Sequence, residues 1–177
     1  MGEASIGNRR DGEAERSVEP ATNRKARPVT IATTPSIAPP PDTDPPAFAA
    51  AMMDAFNRRD FDAVLASLHP DYEAAWPHAT LAGLDAVAHE ATILHAFPDV
   101  AMDVQQATAI PGGALLELIV RGTNTGPLAM PWGETFPPSG RTLALPMMIV
   151  MELDGAHLRR ERLYFDQRTI LDQTNNL

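Results

Sequence analysis

After Phe97 the hydrophobic period of this chain changes, and that change constrains its architecture. Up to Phe97 apolar residues recur mainly at helical spacing, apart from one short alternating stretch, and from Val100 onward they alternate. Phe48, Met52, Ala55 and Phe56 fall at i, i+4, i+7 and i+8, which predicts an amphipathic helix opened by the pair Pro45-Pro46. Arg58 and Arg59 are expected in its last turn, where cations offset the helix dipole. Asp60 reads as the N-cap of a second short helix with Phe61, Val64, Leu65 and Leu68 on its apolar face and Pro70 at its end. Tyr72, Ala74 and Trp76 alternate with Glu73 and Ala75, a short strand that Pro77 ends or confines to an edge. Residues 83–97 form a third helix, striped by Leu84, Val87, Ala91, Leu94 and Phe97.

Beyond Pro98 the pattern is that of strands. Val100, Met102 and Val104 alternate ahead of a turn at Pro111-Gly112-Gly113. Residues 114–124 make a strong strand with Leu116, Leu118 and Val120 on one face. Residues 125–140 are a loop rich in Pro and Gly, and residues 141–153 are another strand. Asp154-Gly155 is a two-residue hairpin signal. The last strand runs to about Asp166, and residues 169–174 suit one closing helical turn. Helices segregated from a meander predict an α+β fold: a curved, mainly antiparallel sheet, cone-shaped, with three N-terminal helices enclosing a pocket.

Residues 1–45 differ from the rest, being rich in Pro, Ala, Thr, Glu and Arg with almost no bulky apolar side chains. Such a segment cannot bury enough surface to offset its ordering entropy, so it reads as a disordered tail ahead of a domain spanning 46–177. The absence of cysteine excludes a disulfide scaffold and a thiol nucleophile. A formal net charge of -9 with a single lysine, Lys25, argues against a nucleic-acid partner. No apolar run reaches the roughly 18 residues of a spanning helix, and the N-terminus lacks the apolar core of a secretory signal. The expectation is a cytoplasmic protein with no membrane partner.

A two-residue turn at Asp154-Gly155, continued without a bulge, would set Leu143 opposite Asp166. Leu143, Leu145, Met147, Ile149 and Met151 would then share a face with Arg160, Arg162, Tyr164 and Asp166, and one bulge would reverse this. Asp166 reads either as a carboxylate facing a pocket or as the cap of the closing turn. Arg162 is a candidate counter-charge or a surface ion-pair partner, and Tyr164 a donor to a substrate oxygen or a packing residue. Tyr72 and Trp76 suit stacking on a flat ligand, or the core. His78 is a candidate proton carrier or a loop histidine. Asn124 suits a hydrogen bond to a carbonyl, or capping of its loop. Met147 and Met151 suit an apolar wall. The loop bearing Met130, Pro131, Trp132 and Phe136 is expected to close over a ligand. His69, His78, His89 and His95 show no metal-ligand spacing.

Several stretches together resemble the SnoaL-like polyketide cyclases. They are Arg121-Gly122-Thr123-Asn124-Thr125-Gly126-Pro127, Phe136-Pro137-Pro138-Ser139-Gly140-Arg141, Leu153-Asp154-Gly155, and Tyr164-Phe165-Asp166 with Leu171 and Gln173 after it. These cyclases belong to the nuclear transport factor 2-like superfamily, with ketosteroid isomerase and scytalone dehydratase. The resemblance covers about residues 46–175 and departs from the family at Asn124, where many relatives carry His. It implies the cone fold, an apolar pocket, no metal or organic cofactor, and homodimers through the outer sheet face. It also implies an acid/base carboxylate on the last strand, matched by Asp166, closing a polyketide-like or polycyclic carbonyl substrate by an aldol-type step. The alternatives are a non-catalytic protein holding a small apolar ligand, and a dehydratase or epoxide hydrolase of the same superfamily.

Overall fold

The computed structural model describes residues 44–174. The expected disordered tail therefore lies, up to residue 43, outside the described residues. Helix α1 (Pro45–Asn57) starts on its proline pair and buries Ala49, Met52, Met53 and Ala55. It ends at Asn57, one residue before Arg58, so neither arginine lies in its last turn. Arg58 is the C-cap, and Arg59 takes a left-handed φ of 62°. The Arg59 guanidinium instead donates to the carbonyls of Pro98 at 2.9 Å and Val100 at 2.7 Å, tying the end of α1 to a distant connection.

Asp60 caps α2 (Phe61–Ala66) as expected, accepting from the Ala63 N–H at 3.2 Å. The helix stops at Ala66 rather than at Pro70, and Leu68 already belongs to β1 (Leu68–Trp76). Pro70 is tolerated there because it falls where the β1 pairing shifts register, between Leu68 and Glu73. Pro77 ends β1, and β2 (Ala79–Ala82), which the sequence pattern did not reveal, folds back on it. Helix α3 (Gly83–Ala96) follows, but Leu84 is exposed rather than part of its buried stripe.

Strands β3 (Ala101–Ile110), β4 (Gly113–Thr123), β7 (Thr142–Asp154) and β8 (His157–Tyr164) form the expected antiparallel meander. Inside the Pro/Gly loop between β4 and β7, two short strands pair as a hairpin, β5 (Leu128–Ala129) with β6 (Thr135–Phe136). Helix α4 (Gln167–Thr174) closes the described chain. The six-stranded sheet has the order β2-β1-β8-β7-β4-β3, with β1 parallel to β8 and every other pair antiparallel. The architecture is the expected α+β, with a fourth helix, α4, in place of a single closing turn.

The core lies on the inner face of this sheet. Leu116, Leu118 and Val120 of β4 and Leu143, Leu145, Ile149 and Met151 of β7 are all buried there. Each such side chain contributes about 1.5–3 kcal/mol by leaving water. Asn57 fixes α1 to the sheet, exchanging two hydrogen bonds with the backbone of Met102 at 2.7 and 2.9 Å. Gln173 does the same for α4, with 2.7 and 3.1 Å bonds to the backbone of Ala144.

Asn124 is fully buried after β4 and holds the long loop. Its amide nitrogen donates to the carbonyls of Ala96 (3.1 Å) and Gly126 (2.9 Å), and its oxygen accepts from the Ser139 N–H and hydroxyl. Gly126 has to be glycine, since a Cβ there would lie 1.7 Å from the His95 carbonyl oxygen. The loop-capping reading of Asn124 therefore holds, and a role toward a ligand carbonyl does not. Replacing Asn124 with Ala orphans buried carbonyls and N–H groups. It should cost about 2–3 kcal/mol in urea denaturation, and a change within experimental error would refute this account.

Candidate active site

Between the inner sheet face, α1, α2, α3 and the β5–β6 hairpin lies a cavity of about 920 Å³. Most of its wall is apolar, with Met52, Met53, Phe56, Leu143, Leu145, Met147 and Ile149 among its lining. A few polar groups converge on this space.

Tyr72 and Glu161, both buried, and the half-buried Glu90 line it. Tyr72 points inward because alternation along β1 puts it on the same face as Ala74 and Trp76. Its phenol donates to the Glu161 carboxylate across the parallel β1–β8 pair. Glu90 sits on α3 among Val87, Ala91 and Leu94, the i−3, i+1 and i+4 positions of the stripe that faces the cavity. Burial pushes both carboxyls up. Glu90 reaches about 8, first through lost solvation and then through the charge of Glu161, and the Trp76 indole pulls it the other way. Glu161 is raised by burial and drawn down by the Tyr72 hydrogen bond. Tyr72 itself is pushed far above its ordinary value by burial and by Glu161. The two carboxyls titrate as a pair, and near neutral pH such a pair retains a proton.

At the solvent end are His78, His89 and Gln167. The two imidazole Nε2 atoms lie 3.1 Å apart, and the Gln167 amide nitrogen lies 2.7 Å from His78 Nδ1. An amide nitrogen only donates, so His78 Nδ1 accepts, its proton sits on Nε2, and His89 Nε2 accepts in turn. Burial lowers the affinity of both rings for a second proton, and for His78 the neighbouring His89 adds to this. Trp132 also borders the cavity and is 54% exposed, as is Phe61 at 37%, so this rim is apolar and open to water.

Of the residues singled out in the sequence, Tyr72, Trp76, His78, Trp132 and Met147 line the cavity. Asp166, Arg162, Tyr164, Met151 and Asn124 do not. Asp166 is exposed and caps α4, accepting from the Arg168 N–H at 2.9 Å and the Thr169 hydroxyl at 3.1 Å. Met151 is completely buried in the core behind the cavity wall. Arg162 and Tyr164 lie on the opposite sheet face, where Arg162 pairs with Glu152 and Tyr164 is 53% exposed beside Met148.

The physical reason is a bulge. The hairpin turn falls one residue later than expected, with Asp154 paired to His157, which by itself preserves the faces. Leu153 then pairs with Leu158 but Glu152 pairs with Arg160, so Arg159 is an extra residue in β8. That single insertion turns Arg162 and Tyr164 outward and Glu161 and Leu163 inward. The sequence held a signal for it. Leu158 and Leu163 are five apart, so both can be buried only if the alternation slips. Glu90 was legible as a carboxylate on an apolar helical stripe.

Removing the Asp166 cap should lower stability by about 1 kcal/mol without altering the cavity. An Asp166→Ala protein that melts like the parent but loses ligand affinity would contradict that assignment. Glu90 makes stability depend on pH. Between its ordinary 4.5 and its raised value near 8, the folded chain keeps a proton that the unfolded chain releases. The stability it contributes is full below about 4.5 and is lost as pH rises through about 8. Glu161, also raised, acts in the same sense. Melting temperatures taken across that range should fall less steeply for Glu90→Gln than for the parent, and parallel slopes would refute the shift.

Comparison with known proteins places this geometry. A family model described as a SnoaL-like domain matches residues 49–161. No curated protein matches at a significant level. The fold is similar to that of AclR of Streptomyces galilaeus, a proposed hydroxylase, at 21% identity and TM-score 0.64 over 74% of this chain and 80% of that one. It is also similar to IdmH of Streptomyces antibioticus, a proposed polyketide cyclase, at 18% identity and TM-score 0.64 over 75% and 99%. A proposed SnoaL-like polyketide cyclase of Jannaschia sp. CCS1 matches at 16% identity and TM-score 0.63 over 77% and 98%. At these identities the structural likeness concerns the fold. The family model covers well over half of the sequence, and the chain belongs to the SnoaL-like domain family.

Proposed function

We propose that this protein is a cofactor-independent acid–base catalyst acting on an uncharged polycyclic carbonyl compound of polyketide type. The observation that carries the reading is that Glu90 and Glu161 both line one apolar cavity, with Tyr72 hydrogen-bonded to Glu161. Glu161, whose charge the phenol stabilises, is the base. It takes a proton from carbon between two carbonyls. Glu90, protonated near neutral pH, is the acid. In an aldol-type closure the enolate carbon forms a bond to a second carbonyl carbon, and that carbonyl's oxygen takes the proton from Glu90. In an isomerisation Glu90 serves the enolate oxygen and the proton returns to a different carbon. Either step leaves a proton on Glu161 and a charge on Glu90, and transfer between them restores the site.

The cavity supports the substrate class. Its volume of about 920 Å³ suits a multi-ring ligand, and Tyr72, Trp76 and Trp132 offer flat faces. No Arg or Lys is among its described lining residues, so an anionic ligand would find no counter-charge there. The nearby structures described as proposed polyketide cyclases agree with this class.

The test is solvent deuterium exchange at the carbon between the carbonyls of an aromatic 1,3-diketone, followed by NMR. Glu161→Gln should slow exchange about 10²–10⁴-fold, the usual contribution of a positioned base, with affinity for the diketone changed only a few-fold. Asp166→Asn should exchange like the parent. Parent-like exchange in Glu161→Gln, with the diketone still bound, would leave a binding protein of the same fold as the better reading.

A further inference from the structure

The cavity has a second set of polar lining groups, which the proposed proton transfer does not use. His78 follows Pro77 in the β1–β2 turn, and Gln167 opens α4. His89 shares one side of α3 with Ile93 and Ala96, at i+4 and i+7, and all of these residues line the cavity. The Gln167 amide nitrogen lies 2.7 Å from His78 Nδ1, and His78 Nε2 lies 3.1 Å from His89 Nε2. The His89 ring also meets the Trp76 ring of β1 edge-on, with centroids 4.5 Å apart and planes inclined at 69°. The imidazole of His89 is thus held from two directions.

Counting protons along these contacts leaves one donor over. Gln167 donates to His78 Nδ1, so the His78 proton sits on Nε2 and goes to His89 Nε2. The neutral His89 ring then carries its own proton on Nδ1, and no described residue accepts it. Two neighbouring lining donors are already used. The Thr92 hydroxyl donates to the His89 carbonyl at 2.7 Å, and the Trp132 indole donates to the Glu134 carboxylate at 3.1 Å. A donor whose ring is fixed by its neighbours loses little freedom when it bonds to a ligand. In a wall that is otherwise mostly apolar, such a donor separates ligands that bring an oxygen to it from those that do not.

We propose that His89 is a specificity-determining residue, whose Nδ1–H donates to a hydroxyl or ketone oxygen that the ligand carries apart from its reacting carbonyls. His78 and Gln167 are positioning residues, because they fix which nitrogen of His89 bears the proton. This role rests on the cavity being a site for polycyclic carbonyl compounds, and it narrows them to those with a further oxygen. With no Arg or Lys among the described lining residues, that oxygen belongs to an uncharged group.

The experiment measures affinity alone. Diphenyl-1,3-propanedione and its isomers with one ring hydroxyl, at the ortho, meta or para position, are titrated calorimetrically against the full chain. One isomer should bind the parent about fivefold more tightly than the unsubstituted diketone, the scale of one hydrogen bond. His89→Phe keeps a ring against Trp76 but has no donor, and His89→Leu has neither. Both should lose the preference while binding the unsubstituted diketone nearly as the parent does. His89→Asn, whose amide nitrogen stands where Nδ1 does, should keep most of it. His78→Ala should weaken it, since the His89 proton is then free to move to Nε2. Melting curves identify any variant that has lost its fold. A parent that prefers no isomer, or a preference that survives in a folded His89→Phe or His89→Leu, would overturn the role of His89. A preference unmoved in His78→Ala would overturn the positioning role. Deuterium exchange reports on Glu161 and these affinities report on His89, so the failure of either reading is seen by itself.

Discussion

Arg159 has no partner across the β7–β8 ladder, and the polarity of the cavity follows from it. A strand shows one face to the core and one to solvent, so a single extra residue exchanges them. Upstream of the bulge Leu158 is buried; beyond it the inward positions are Glu161 and Leu163. The arginines on either side of Glu161 are carried to the outer face, where Arg160 pairs with Glu73 and Arg162 with Glu152. The bulge thus removes two guanidinium groups from the cavity and admits one carboxylate. Without the bulge Arg160 and Arg162 would face the cavity and Glu161 would lie on the outer face.

Two carboxyls in one apolar space are costly, because neither is well solvated and each repels the charge of the other. The site relieves this with one hydrogen bond and one retained proton rather than with a salt bridge. Tyr72 serves Glu161, and Glu90 keeps its proton to about pH 8. An arrangement of this kind puts two carboxyls in one apolar cavity, which is what the proposed transfer of a proton between carbon and oxygen requires. The rest of the fold protects it. Asn124 and Gly126 pin the long loop to the end of α3, and Arg59 and Asn57 anchor α1 over β3. These polar ties lie at the ends of elements, which leaves the wall between them apolar.

Much of this was legible from residues. The change from helical to alternating period gave the α+β order, and the buried faces of β4 and β7 are those that alternation marks. Asp60 was readable as a cap because its neighbours allow little else. Trp76 and Tyr72 were readable as inward because they alternate with a glutamate. Asp166 was readable in two ways, and the structure shows the helix cap rather than a carboxylate facing the pocket. Counting along an unbulged hairpin carried it to the cavity, whereas two local hydrogen bonds to the first turn of α4 hold it outside. The motif resemblance that suggested its role extends to the fold and not to the direction of this one side chain.

The sequence by itself determined the order of elements, the apolar character of the cavity wall and the family. Each of these depends on local periodicity or on short motifs, which the chain carries regardless of its neighbours. Only the tertiary structure decided which carboxylates line one cavity. Tyr72 and Glu161 are 89 positions apart, as are His78 and Gln167, and both contacts exist because strands and helices distant in sequence close around one space. Their ionisation is equally non-local. A glutamate becomes an acid at neutral pH only when its surroundings exclude water, and no residue carries that property in its own side chain.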